Sequence, residues 1–362
     1  MSNTNIKLGC EYYVSTLTDL KAVFNTLNGS VYDCPTGTVL HLMADISGID
    51  IALDLRNVRV LHGNGKKLTC TTGGNFTMGY YAAYSTGHVS AWSAGVYTGN
   101  GTSWSGLTTE VGTTWIIREE ETAPYPMAEV IAIASDTSLT ASDCWEGYLA
   151  SASKDYTLLK VAKAQRINDV TFDFGKLAAI TSDWYAGCDA VYTNVHFVNK
   201  GNGTGDAGLL FKYVYNLKFV CSKFMNFSVV GDYVCPTTVW RSGWVYYNMC
   251  EFTNLHGNGS SGTTAPNWIS YGIGMTYIGC KICFCANLKS GITYIQGGIY
   301  GNTLKRAVCI GNTIESMVDG WGINVPANSD SLVLGTSSNL CAIGTVTSAT
   351  GNTFDNNYDP LT

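Results

Sequence analysis

The chain has 362 residues and a net charge of −6, and its 13% of charged residues is about half the usual share in soluble domains. An acidic chain without a Lys/Arg cluster does not suit nucleic acid as a partner. No apolar run approaches the roughly 18 residues that span a bilayer, and no signal-peptide core opens the sequence, so the expectation is a protein made in a cytoplasm, with no membrane span.

In chain order, Thr16-Leu17-Thr18-Asp19 reads as a helix start. Leu20, Val23, Phe24 and Leu27 then fall at i, i+3, i+4 and i+7, up to Asn28-Gly29. A short amphipathic helix here would close the open apolar end of a stacked fold. Pro35-Thr36-Gly37-Thr38 is a turn. Residues 39–42, 49–55 and 58–61 follow as strands, closed by His62-Gly63-Asn64-Gly65. Residues 75–165 break the rhythm. Tyr80, Tyr81, Tyr84, Trp92, Tyr97 and Trp104 lie scattered among Gly and Ser, and 115–117, 128–133 and 156–161 read as strands of a β-rich insertion. Arg118-Glu119-Glu120-Glu121 reads as a solvated charged turn.

From residue 166 a phrase recurs: an aromatic, any residue, then Asn. It stands at Phe197-Val198-Asn199, Phe224-Met225-Asn226, Phe252-Thr253-Asn254 and Phe354-Asp355-Asn356. The first three are 27 and 28 residues apart, and Phe172 lies 25 before Phe197. A period in this range marks stacked units that bury apolar faces on one another. Each unit is a strand with an inward Phe followed by a turn. Asn suits the turn because it tolerates the left-handed region, and successive amides can bond along the stack. This is the pattern of an all-β parallel β-helix. It divides the chain into an arm and capping helix (1–28), first coils (29–74), an insertion (75–165), the main helix (166–324) and C-terminal coils (325–362).

Thirteen cysteines are present, and Cys280, Cys283 and Cys285 form C-x-x-C-x-C. No further soft ligand at suitable spacing completes a zinc site, so no metal or cofactor is expected. Cys221, Cys250 and Cys280 recur at 29 and 30 residues, which predicts stacked, buried thiols rather than disulfides.

The capping helix, the Gly/Asn/Thr-rich coils and the aromatic-x-Asn ladder together resemble the pectin-lyase-like right-handed parallel β-helix superfamily. Within it, the bacteriophage tailspikes and surface-polysaccharide depolymerases look closest. Residues 18–24 through Pro35-Thr36-Gly37 are similar to the capping helix and first turn of that group, as are 128–133 followed by Asp169-Val170-Thr171-Phe172. The resemblance implies a homotrimer on the virion tail that binds, and often cleaves, a bacterial surface glycan such as capsule or lipopolysaccharide. Only about 16 residues precede the helix, so docking would use that arm or another tail component. The catalytic signatures Asn-Thr-Asp, Asp-Asp, Gly-His-Gly and Arg-Ile-Lys are missing, and no catalytic residue carries over.

Glycoside hydrolysis needs two carboxyl groups about 5–9.5 Å apart. Asp183 and Asp232 each follow a coil Phe and sit beside aromatics, so they are candidates to share one face; Asp189 and Glu251 are second-tier. Trp184, Tyr185, Tyr233, Trp240 and Trp244 are the substrate-binding candidates, because flat rings with polar edges suit sugar faces. Arg241 could pair with an acidic sugar. The same residue types suit a trimer interface. Tyr246 and Tyr247 cannot both point inward, since strand faces alternate. His62 and His256, each in His-Gly-Asn-Gly, read as turn packing. The expectation is a spike protein whose enzyme status stays open, with hydrolysis favoured over elimination. A non-catalytic adhesin or structural tail component, and a free polysaccharide lyase, are the alternatives.

Overall fold

The structure is a computed structural model. It describes residues 10–27, 31–121, 126–142, 153–176, 182–185, 187–201, 207–230, 235–258, 267–270, 274–283, 286–287, 299–302, 308–315, 323–324, 332–334, 337–339, 346–347 and 353–355.

The helix Leu17–Val23 opens the fold with a reciprocal cap: Thr16 Oγ1 accepts from the Asp19 amide at 3.1 Å, and Asp19 Oδ2 accepts from the Thr16 amide at 3.1 Å. Leu20, Val23 and Phe24 are buried against the first coils. The helix is shorter than its apolar stripe suggests. Phe24 already has extended torsions (φ −92, ψ 98), and Asn25–Leu27 turns back as a strand on Val31–Asp33. Sheet pairing next to the cap overrides the weak helical preference of Phe24-Asn25-Thr26.

Behind the cap the chain winds as a parallel β-helix with three faces. The first face is a ladder running from Glu11–Val14 through Thr38–Leu42, Val58–Cys70, Arg166–Asp173, Val191–Val198, Tyr215–Val220, Gly243–Asn248, Thr276–Ile278, Val308–Ile310 and Leu332–Leu334 to Thr353–Asp355. The second continues from the latter halves of the long strands into Lys223–Val230, Glu251–Asn258, Lys281–Cys283, Thr313–Glu315 and Ser337–Asn339. The third carries Val31–Asp33, Ala52–Asp54, Asn75–Thr77, Ser182–Trp184, Ala207–Lys212, Cys235–Trp240, Asn267–Ser270 and Ile299–Asn302, bridged between Met78 and Trp184.

The core repeats with the ladders. Phe172, Phe197, Phe224 and Phe252 occupy one register level and stack with ring centres 5.5, 5.3 and 4.8 Å apart. Tyr192, Phe219, Tyr247 and Tyr277 form a second column beside it. The first three Phe-x-Asn units place their Asn at positive φ, 58° at Asn199, 58° at Asn226 and 57° at Asn254, and Asn356 of the fourth lies outside the described residues. The Asn254 amide donates to Asn226 Oδ1 at 2.8 Å, and the Asn199 amide to Asp173 Oδ1 at 3.0 Å.

The cysteine column differs from expectation by one residue. Cys221 is exposed and occupies the left-handed turn position (φ 51), while Ser222 takes the inward level shared with Cys250, Cys280 and Asn312. Each of these four side chains donates to a carbonyl of the preceding coil, so a small donor is what the position requires. The nine cysteines whose side chains are described are thiols; Cys285 lies outside the described residues.

Between Met78 and Gln165 the chain leaves the stack and forms a seven-stranded antiparallel sheet, in the order His88–Ser93, Val96–Asn100, Ser138–Ala141, Met127–Ser135, Thr113–Glu119, Tyr156–Ala162, Ala82–Tyr84. Asn75–Thr77 still pairs in parallel with Ala52–Asp54, so the departure comes after it. This sheet has its own core around Tyr97, Trp104, Trp115, Ile117 and Leu158. A second cluster of Ile116, Met127, Leu159 and Val161 packs on Cys188 and Tyr215 of the coils. Gln165 closes the re-entry: its amide donates to the Leu55 and Val58 carbonyls at 2.9 and 2.6 Å and accepts from Tyr192 Oη at 2.7 Å.

Candidate functional site

Where the antiparallel sheet meets the third face, four aromatic rings line up across successive coils. Tyr80 faces Tyr185 edge-on at 5.1 Å, Tyr185 lies 5.7 Å from Tyr213, and Tyr213 lies 5.8 Å from Trp240. Backbone pairing sets the row. Tyr185 follows inward Trp184, and Lys212 and Trp240 are register partners that each follow an inward residue, Phe211 or Val239. Tyr213 joins the row because its backbone turns into the left-handed region (φ 54). Tyr80 is 39% exposed and the other three residues are partly buried, so the row forms a shelf that is partly open to solvent.

Charged groups are interleaved with the rings. The Arg118 guanidinium sits 4.0 Å from the centre of the Tyr213 ring, Arg241 4.7 Å from that of Trp240, and Lys212 Nζ 5.7 and 5.6 Å from those of Tyr185 and Trp240. Lys212 Nζ also pairs with Asp183 Oδ2 at 3.2 Å. Glu120 is shared between two arginines, accepting from Arg118 Nε at 3.0 Å and from Arg241 Nη1 at 3.3 Å. Asp183 Oδ1 and Arg118 Nη1 are buried and have no hydrogen-bond partner among the described residues. Burial, with the Asp183 charge beside it, pushes the Tyr185 hydroxyl up to about 12.

The residues singled out in the sequence separate on this map. Asp183, Tyr185, Trp240 and Arg241 come together on the shelf. Trp184 does not: it is fully buried, donates from Nε1 to the Phe76 carbonyl at 3.2 Å and packs among Phe172, Tyr192, Phe197 and Phe211. Alternation along Ser182–Trp184 sends Asp183 outward and Trp184 into the core, so Trp184 cannot touch a substrate. Trp244 is partly buried and packs on the cluster that joins the antiparallel sheet to the coils, against which Tyr213 of the ring row also packs.

Glu251 belongs to the second face, where it pairs with Lys223 at 3.0 Å, and so does not join Asp183. Asp189 sits at a left-handed turn (φ 55) and accepts from Asn216. Asp232 and Tyr233, and the side chain of His256, lie outside the described residues. His62 stacks on His41, which stacks on Tyr13, at 4.7 and 4.5 Å. Tyr247 points inward and Tyr246 outward, as alternation requires.

Arg118, Glu120 and Lys212 were not singled out. Arg118 and Glu119 are buried in the strand Thr113–Glu119 rather than solvated in a turn: Arg118 sits over the Tyr213 ring and Glu119 accepts from the Glu121 amide at 2.6 Å. The available signal was the apolar run of Trp115, Ile116 and Ile117 leading straight into the charges. Among the described residues, Glu129, Cys188 and Asp189 place ligand atoms within 4.8 Å of one another. Lys163 already pairs with Glu129 and Asn216 with Asp189, and burial pushes the Cys188 thiol well up, so the chain itself balances this cluster.

No family model matches the sequence, and no curated protein matches it. Among solved structures, the chain is similar to the tailspike protein gp49 from Pseudomonas phage LKA1, at 11% identity and a TM-score of 0.37, over 94% of this chain and 73% of that one. It is similar to a glycoside hydrolase at 7% identity and a TM-score of 0.35, over 90% of each chain. It is also similar to the Gp54 tailspike of Acinetobacter baumannii bacteriophage AP22, solved in complex with capsular saccharide, at 10% identity and a TM-score of 0.28, over 83% of this chain and 64% of that one. The parallel β-helix is established by this chain's own strand ladders.

Proposed function

We propose that the protein binds a bacterial surface polysaccharide along the Tyr80–Tyr185–Tyr213–Trp240 shelf, as a tailspike-like component of a virion tail. The observation that carries this reading is the row of four partly accessible rings, flanked by hydrogen-bonding charges, on an outward face of a rigid solenoid. Stacked coils hold the rings at fixed spacing, so a repeating glycan meets a pre-organised surface and little ordering cost accompanies binding. A homotrimer, and docking on another tail component, complete the reading. Sedimentation as a monomer at micromolar concentration would remove the trimer from it.

The direct test is retention of purified protein on capsule and lipopolysaccharide of candidate hosts. Trp240→Ala removes a ring from the shelf and is expected to weaken retention about 10-fold or more, the scale of a lost stacking contact with its desolvated neighbours. Unchanged retention would sink the shelf.

A catalytic reading has one observation in its favour: Asp183 stands at the shelf with one carboxylate oxygen held by Lys212 and the other without a partner among the described residues. Hydrolysis would need a second carboxyl across the sugar, and Asp232 is the sequence candidate. Asp183→Asn and Asp232→Asn should then abolish the release of new reducing ends while leaving retention intact. If no ends appear with native protein, the protein is an adhesin and both carboxylates are structural.

A further inference from the structure

We infer that the shelf takes an internal stretch of a linear glycan, lying along the solenoid axis with one pyranose unit to each coil. This rests on the glycan-binding reading of the same surface and names the class of glycan that fits it. That class is extended, unbranched over four sugars, and held along its length rather than by an end.

The row runs in the stacking direction. Ser182–Trp184, Ala207–Lys212 and Cys235–Trp240 pair in parallel, with Trp184 opposite Phe211 and Lys212 opposite Trp240. Tyr185, Lys212 and Trp240 therefore fall at one register position of three successive coils. Met78 bridges to Trp184, which puts Tyr80 on the coil before them. The ring steps of 5.1, 5.7 and 5.8 Å follow the rise from coil to coil, which is about 4.8 Å between paired strands. A pyranose unit in an extended chain advances by nearly the same length. A chain laid along the axis thus keeps step with the rings over four coils, and a folded or coiled chain does not.

Within the register column, Lys212 Nζ stands between Tyr185 and Trp240, 5.7 and 5.6 Å from their ring centres. Ring, donor and ring in succession present apolar and hydrogen-bonding surface by turns, as the faces and hydroxyl edges of a sugar chain do. The antiparallel sheet works against the crosswise orientation. Arg118 covers the Tyr213 ring and Glu120 accepts from Arg241 at 3.3 Å, so the sheet borders the row on two adjacent coils. Its apolar underside packs on Tyr215, two residues beyond Tyr213. A chain crossing the row at these levels meets that border after one ring, whereas a chain along the axis runs beside it. Contact spread over four units draws affinity from length, not from one terminal sugar.

The experiment uses the capsule or lipopolysaccharide chain that native protein retains, cut by partial acid hydrolysis into a size series from disaccharide to octasaccharide. Calorimetric titration of each size is expected to show affinity rising about 10-fold from disaccharide to tetrasaccharide, the scale of two added ring contacts, and flattening beyond it. Borohydride reduction of the reducing end should leave the octasaccharide's affinity unchanged.

Full affinity already at the disaccharide, or loss of binding when the end is reduced, overturns the inference and leaves the glycan reading standing. Retention of no capsule or lipopolysaccharide overturns the glycan reading and the inference with it. Tyr80→Ala gives a second check, because Tyr80 ends the row and its contact with Arg56 is made by its carbonyl, which the substitution keeps. This variant should move the plateau down to a trisaccharide. Equal weakening at every length would assign Tyr80 a structural role and count against one sugar per coil.

Discussion

Lys200 shows how a single side chain can make stability depend on pH. It is buried, with Nζ 4.8 Å from the centre of the Phe174 ring, and burial lowers its pKa from 10.5 to about 8. Between those two values the folded chain holds it neutral while the unfolded chain still binds the proton, so stability from this group rises with pH across that window. Below about 8 both states carry the charge and the fold bears the whole burial cost. Lys200→Met should therefore raise the melting temperature most near pH 7, with the gain shrinking as pH approaches 10.5. A gain that stayed constant from pH 7 to 10.5 would mean that Lys200 is charged in the fold throughout. Tyr247 is a second such residue. Its hydroxyl is buried without a partner among the described residues, in a ring stacked between Phe219 and Tyr277. Tyr247→Phe keeps the stack and removes the unpaired group, so urea titration should show a gain of about 1 kcal/mol. A loss would mean that the hydroxyl is hydrogen-bonded.

At the scale of one coil, stability comes from a strand, an inward ring and a left-handed turn repeated in register. Asn254 tests the turn. Ala at φ 57 meets a penalty of roughly 1–2 kcal/mol and also loses the bond to Asn226, whereas Gly loses only the bond. Denaturation should rank the native chain above Asn254→Gly, and Gly above Asn254→Ala; equal losses in the two variants would show that the amide ladder, not the torsion, dominates. These coils were readable in sequence because ring, turn and period all lie within one unit of chain. The shelf was only half readable. Tyr185, Trp240, Arg241 and Asp183 stood out as aromatics and charges on coils, but their partner Glu120 is 121 residues from Arg241. The apolar run Trp115-Ile116-Ile117 is the one local hint that Arg118 and Glu119 are buried. Trp184 was misplaced for the opposite reason: its strand is three residues long, too short for alternation to reveal which side faces the core.

For the molecule as a whole, the long departure between Met78 and Gln165 replaces a connection that takes as few as two residues in later coils. Tyr213 and Val214 alone join Ala207–Lys212 to Tyr215–Val220, and Arg241 and Ser242 alone join Cys235–Trp240 to Gly243–Asn248. The stack therefore does not need the antiparallel sheet to continue, and that sheet has a core of its own. What it adds to the surface is Tyr80, Arg118 and Glu120, together with the apolar cover over Cys188, Tyr215 and Trp244. Replacing residues 79–163 with a short Gly/Ser linker should leave a folded solenoid, read as an intact parallel-strand circular dichroism signal and a cooperative melt. Solubility should fall, because the face that the sheet covered becomes exposed. Glycan retention should drop at least as far as in Trp240→Ala, since the shelf loses its first ring and the charge pair that positions Arg241. Full retention by the shortened chain would place recognition on the coils alone and reduce the antiparallel sheet to a bystander. Failure of the shortened chain to fold would make that sheet part of the solenoid's folding unit, with the packing of Ile116, Met127, Leu159 and Val161 on Cys188 and Tyr215 as the joint.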